Sequence, residues 1–117
     1  MEPTEVLRTK DLAVEEPRPM DEELCGYAWL PRMIDKARAK TAGTLGDLMH
    51  PCPVDQNALR LLRVDALVFR EIASSARTAA DVLAGLAEAG ARPAAEAWFD
   101  APAFEHALIN DAHAESP

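Results

Sequence analysis

Apolar residues in this chain recur at helical spacing and almost nowhere alternate with polar ones. No alternating run of β-branched or aromatic residues reaches five positions, and the valines are scattered singly, so strand signals are missing. Such a chain buries its apolar surface by packing amphipathic helices. Residues 22–41 carry Leu24, Tyr27, Ala28, Leu30, Met33, Ile34 and Ala37 as a helical stripe interrupted by Pro31, which begins a new helix because proline suits a first turn. Gly43, Gly46, Pro51 and Pro53 then crowd the longest internal loop. Pro53 opens a short helix whose Val54, Ala58, Leu61 and Leu62 share one face.

Further along, Asp65 is an N-cap, with Val64 and Phe69 as the hydrophobic staple across it. Thr78 and Asp81 form a capping box ahead of Val82, Leu83, Leu86 and Ala87, and Gly90 stops that helix. After an alanine-rich turn through Trp98, Asp100 caps a last helix with Pro102 in its first turn and Phe104 and Leu108 inward. The fold class expected is all-α: a small bundle of about five short helices, with the Gly/Pro-rich loop between the second and third.

At 117 residues the chain fits a single core. Residues 1–21, acidic and interrupted by Pro17 and Pro19, read as a flexible or loosely packed arm. Residues 22–110 form the helical domain, and residues 111–117 read as a frayed tail. Much of the 49% apolar content is alanine, which buries little area, so the core is thin and a homodimer would thicken it. A net charge of -8 repels both a phosphate backbone and an anionic leaflet, which argues against nucleic acid and membrane partners. No apolar run is long enough to span a bilayer, and the first twenty residues lack the apolar segment of an export signal, so the cytoplasm is the expected location. Cys25 and Cys52 are accordingly expected as reduced thiols.

The segment from Gly26 through Tyr27, Ala28, Trp29, Leu30, Pro31, Arg32, Met33, Ile34, Asp35, Lys36 and Ala37 to Arg38 is followed by Gly43-Thr44-Leu45-Gly46 and by Cys52-Pro53-Val54-Asp55-Gln56. Taken together these resemble the bacterial domain-of-unknown-function family 5069, over roughly residues 24–98. The resemblance implies a short helical protein and no assigned activity. Met49-His50-Pro51 stands where the family pattern implies aromatic and polar residues, which suggests an altered contact there.

Several residues converge on the loop. Arg32, Asp35, Lys36 and Arg38 are spaced to face one another on the turns after Pro31, as a cationic subsite for a small anion or simply as weak ion pairs on a solvated helix face. Asp55 falls at the third position of a helix capped by Cys52, where it reaches back to the cap amide; paired with Asp35, it would divide acid and base roles. Cys52 at a helix start is placed as a nucleophile, the plain alternative being a small buried hydrophobe. His50 joins the substrate side, and Tyr27 and Trp29 are able to stack on a planar ligand, although aromatics at helix starts more often serve packing. His50 and Cys52 with His106 or His113 match no known zinc spacing, and Gly43 to Gly46 lacks the lysine and hydroxyl of a phosphate loop; neither metal nor cofactor is expected.

Two functions follow as expectations. One is a small-molecule site between the Pro31 and Cys52 helices, where Arg32 and Lys36 bind an anionic group and Asp35, Asp55 or Cys52 performs cofactor-independent isomerisation, elimination or cyclisation. The other is a non-catalytic dimeric interaction or regulatory module.

Overall fold

Side chains and left-handed residues fix where the helices begin and end. The structure, a computed structural model, describes residues 1–114. Helix α1 (Leu30–Ala42) follows Trp29 in a left-handed conformation, carries Pro31 in its first turn and ends at Gly43, also left-handed. Helix α2 (Pro53–Leu62) is capped by Cys52, helix α3 (Ala66–Ser75) by Asp65, and helix α4 (Ala79–Glu88) by Thr78. The reciprocal capping boxes Cys52/Asp55 and Thr78/Asp81 are both formed. A four-residue turn, α5 (Ala94–Ala97), leads to α6 (Ala101–Ala114), where Asp100 accepts from the Ala103 amide at 3.0 Å. The Gly/Pro-rich loop therefore joins α1 to α2. Residues 111–117, expected as a tail, lie partly in α6 and partly outside the described residues.

One helix expected from the sequence is a hairpin instead. Strands β1 (Glu23–Leu24) and β2 (Tyr27–Ala28) pair antiparallel, with Glu23 opposite Ala28 and Leu24 opposite Tyr27. Cys25 at φ 48° and Gly26 at φ 84° supply the two successive left-handed residues that a tight two-residue hairpin turn needs. With Trp29 at φ 68°, three residues of five oppose a right-handed helix, whatever the apolar spacing. Leu24 is fully buried, and the Tyr27 hydroxyl donates to the Arg92 carbonyl at 2.8 Å, locking the hairpin to the connection after α4.

Packing follows the expected stripes. Met33, Ile34 and Ala37 of α1, Phe69 and Ala73 of α3, and Val82 and Leu86 of α4 form the core with Val54, Ala58 and Leu62 of α2. Helix α1 lies chiefly on α3, which in turn carries α4, while α2 contacts α5 and α6. None of these helices is long and apolar enough to cross a membrane.

The arm is extended, as its prolines imply, but it is packed against the helices. Leu7 donates to the Arg77 carbonyl at 2.8 Å, and Ala79 and Ala80 donate to Glu5 and Pro3 at 3.0 and 2.8 Å. Leu12 is buried and donates to the Thr44 carbonyl, while the Thr44 hydroxyl returns a bond to the Lys10 carbonyl, both at 2.8 Å. Gly46, at φ 65°, sits so close to the arm that a Cβ there would lie 2.8 Å from the Leu12 carbonyl oxygen. The Gly43 to Gly46 turn thus serves as the dock of the arm.

Candidate functional site

Two elements meet at the start of α2. Cys52 has extended backbone and its Sγ accepts from the Asp55 amide, while Asp55 Oδ2 accepts from the Cys52 amide at 3.0 Å. This local box turns the Asp55 carboxylate back over the helix end and toward α1. There Lys36, on the inner face of α1, donates to Asp55 Oδ2 at 2.8 Å and to Cys52 Sγ at 3.2 Å. Trp29 donates its indole N–H to Asp55 Oδ1 at 2.7 Å, and His50 Nδ1 lies 3.0 Å from Oδ2. A carboxylate only accepts, so the proton of that contact sits on Nδ1. The loop residue His50 precedes Pro51 through a cis peptide bond.

Asp55 is 0% exposed, and Lys36 and His50 are buried with it. Burial by itself would raise the pKa of Asp55, but the His50 hydrogen bond, the Lys36 charge and the Lys36 and Trp29 hydrogen bonds outweigh it and hold the carboxyl well below the usual range. The pair is stable only because both charges keep their partners; removing one member of such a pair typically costs about 3–5 kcal/mol. Cys52 is the member that is only half-buried. At its other edge, the His50 ring lies 6.3 Å from that of Phe69, and its Nε2 is buried without a hydrogen-bond partner.

Of the residues singled out in the sequence, Trp29, Lys36, His50, Cys52 and Asp55 come together. Asp35 does not join them. Successive residues on a helix point about 100° apart, so Asp35 faces the arm when Lys36 faces α2. Its Oδ2 accepts from the Arg18 amide at 2.9 Å and pairs with Lys10 Nζ at 3.0 Å. Asp35 and Asp55 are therefore both buried but share no partner, and the geometry does not assemble a carboxylate pair. Arg38 donates to the Ala73 and Ala76 carbonyls at 2.8 and 2.9 Å, closing the end of α3, where burial holds its own pKa below the usual guanidinium value. Tyr27 is occupied by Arg92. Arg32 borders the cluster: its guanidinium lies 5.4 Å from the Trp29 ring centre, Lys36 Nζ lies 5.7 Å from it, and Arg32 Nε is buried without a partner.

Sequence reasoning missed Lys10 and Arg18 as the clamps of Asp35. Proline-broken acidic segments give no periodic signal for a contact made by an extended chain. Of the two readings open for Trp29, ligand stacking and packing, its burial agrees with packing, and its indole N–H is committed to Asp55, a contact the sequence did not suggest.

Cavities of about 180, 600, 190 and 310 Å³ lie around Gly46, around Arg70, beside Trp98 and beside Gly85, and none of the four is lined by Lys36, His50, Cys52 or Asp55. The cluster is a hydrogen-bonded group apart from these four cavities, and Cys52 is its half-buried member. Among the described residues no group of three or more His, Cys, Asp or Glu side chains is arranged to hold a metal ion. His106 is exposed on α6, and the side chain of His113 lies outside the described residues.

Fold and cluster define a small, mostly helical domain with a half-buried cysteine backed by a buried lysine–aspartate pair. The chain belongs to the family described as domain of unknown function (DUF5069), which it matches over residues 14–104. That span extends beyond the 24–98 expected from the sequence, taking in part of the arm at one end and the start of α6 at the other. No curated protein matches the chain.

Proposed function

We propose that this protein binds a small anionic electrophile and reacts with it through Cys52, without a cofactor, in the reducing cytoplasm. The observation that carries this reading is Lys36 Nζ at 3.2 Å from the sulfur of a half-buried cysteine at a helix N-cap. Reactive thiols in proteins are found at helix N-termini and beside cationic side chains. Asp55, with Trp29 and His50, holds Lys36 in place beneath the sulfur. Arg32, whose guanidinium lies over the Trp29 ring beside Lys36, supplies a second cation for the anionic group of the substrate. A thiolate acts as nucleophile or base in isomerisation, elimination and cyclisation alike, so the reading narrows the acting group to the sulfur and leaves Asp35 to the arm.

The test uses the two thiols of one molecule as probe and control. Cys25 is exposed in a hairpin among acidic neighbours. Alkylation by anionic iodoacetate and neutral iodoacetamide, resolved by peptide mass, should give a several-fold higher iodoacetate-to-iodoacetamide ratio at Cys52 than at Cys25. An equal or lower ratio at Cys52 contradicts the reading.

A second reading, a dimeric interaction module, is favoured by the adjacent Leu67 and Val68 of α3, which are 61% and 42% exposed. Light scattering at micromolar concentration should then give twice the monomer mass, falling to one mass in Leu67→Glu. A monomer in the unsubstituted protein removes this alternative.

A further inference from the structure

The geometry points to a covalent modification site: oxidation of Cys52 is trapped by Lys36 as a sulfur–nitrogen bond between the two side chains. The inference deepens the thiol reading above and rests on it for an accessible sulfur. Three observations carry it. The nitrogen already touches the sulfur, at 3.2 Å, so bond formation needs no rearrangement of either helix. Lys36 is buried and held by Asp55, so the amine is presented to one neighbour and not to solvent. Cys52 is half-buried whereas Lys36 is buried, so of the two residues the cysteine is the one nearer to solvent and to hydrogen peroxide.

The chemistry balances with peroxide as the only oxidant. The thiolate attacks one peroxide oxygen, the O–O bond breaks, and sulfenic acid and hydroxide form; sulfur loses two electrons and peroxide gains them. Hydroxide takes a proton from the Lys36 ammonium. The freed amine attacks the sulfenyl sulfur, the S–O bond breaks, and the departing oxygen leaves as water with a proton from the nitrogen. The product is lighter than the reduced protein by two hydrogens. A thiol reductant reverses it by attacking the same sulfur and returning the amine to Asp55. The link protects Cys52 from the irreversible sulfinic and sulfonic stages, since the sulfenic acid is consumed by its neighbour.

A disulfide between Cys25 and Cys52 has the same mass change, so the experiment uses the full chain carrying Cys25→Asn, with Cys25→Asn/Cys52→Ser as control. After limited hydrogen peroxide, intact mass should fall by two hydrogens, trypsin should no longer cut after Lys36, and the Lys36 and Cys52 peptides should be found joined; dithiothreitol should undo all three. The control, in which serine keeps the helix cap, should show none of them. Cys52 found as sulfinic acid beside a free Lys36 peptide overturns the inference, as does a link carrying an extra oxygen atom. If iodoacetamide still alkylates Cys52 of the untreated protein in that case, the thiol reading survives and only the trap fails. If neither reagent reaches Cys52, both fail.

Discussion

Asp55 accepts four hydrogen bonds from four different segments of chain: the hairpin exit at Trp29, the middle of α1 at Lys36, the loop at His50 and its own helix cap at Cys52. Replacing it with asparagine leaves the Lys36 ammonium buried without a countercharge, so Asp55→Asn should lower stability by about 3–5 kcal/mol in urea denaturation. Because the carboxyl is held below its ordinary range in the folded protein, its stabilising effect is complete above the unfolded value, near pH 4, and is lost as pH falls below it. The stability gap between the unsubstituted protein and Asp55→Asn should therefore narrow as pH falls from about 5 to about 2; a gap that widens in acid would contradict the pairing. The N3 position and the cap contact were legible in the spacing of Cys52 and Asp55. The Lys36 and Trp29 contacts were not, because they cross between segments whose relative placement no local pattern encodes. Cys25→Asn gives the hairpin the Asn-Gly pair that such turns prefer and should raise stability by a few tenths of a kcal/mol or more; a lower melting temperature would show that the thiol packs where it stands.

Caps and stops are where the sequence spoke most clearly at the level of elements. Asp65, Thr78 with Asp81, and Cys52 with Asp55 each cap the helix they were assigned, and Val64 and Phe69 are both buried around the Asp65 cap. Local hydrogen bonding determines these features, and local spacing reveals them. The hairpin was illegible because strands of two residues are too short to alternate, while their apolar residues fit a helical stripe by chance. The arm was misjudged for a related reason: its partners Thr44, Arg77 and Asp35 are distant in sequence, and its hydrogen bonds are those of an extended chain. Gly46 carries much of this docking. Gly46→Ala puts a Cβ into the Leu12 carbonyl and forces a left-handed alanine, costing about 1–3 kcal/mol. Limited trypsin digestion should then cut after Arg8 and Lys10 well before the helices. Unchanged cleavage would mean that the Lys10 and Arg18 contacts with Asp35 hold the arm unaided.

At the scale of the whole molecule, the expected small helical domain is present, and its charged residues are divided between two buried carboxylates with separate purposes. Asp35 ties the arm to α1, and Asp55 ties α2 to α1 and the hairpin. Local spacing joined Cys52 to Asp55, whereas Lys36 reaches them only across the fold, and Asp35, expected beside them, leaves α1 on a different face. What the fold adds is contrast between two thiols, one in an exposed turn and one against a lysine. The central claim is that folding activates Cys52 rather than hiding it. Competitive alkylation with light and heavy iodoacetamide, before and after unfolding in urea, measures this directly. The reactivity of Cys52 relative to Cys25 should be severalfold higher in the folded protein than in urea. A ratio that rises on unfolding would show that the fold shields the sulfur and would contradict the account.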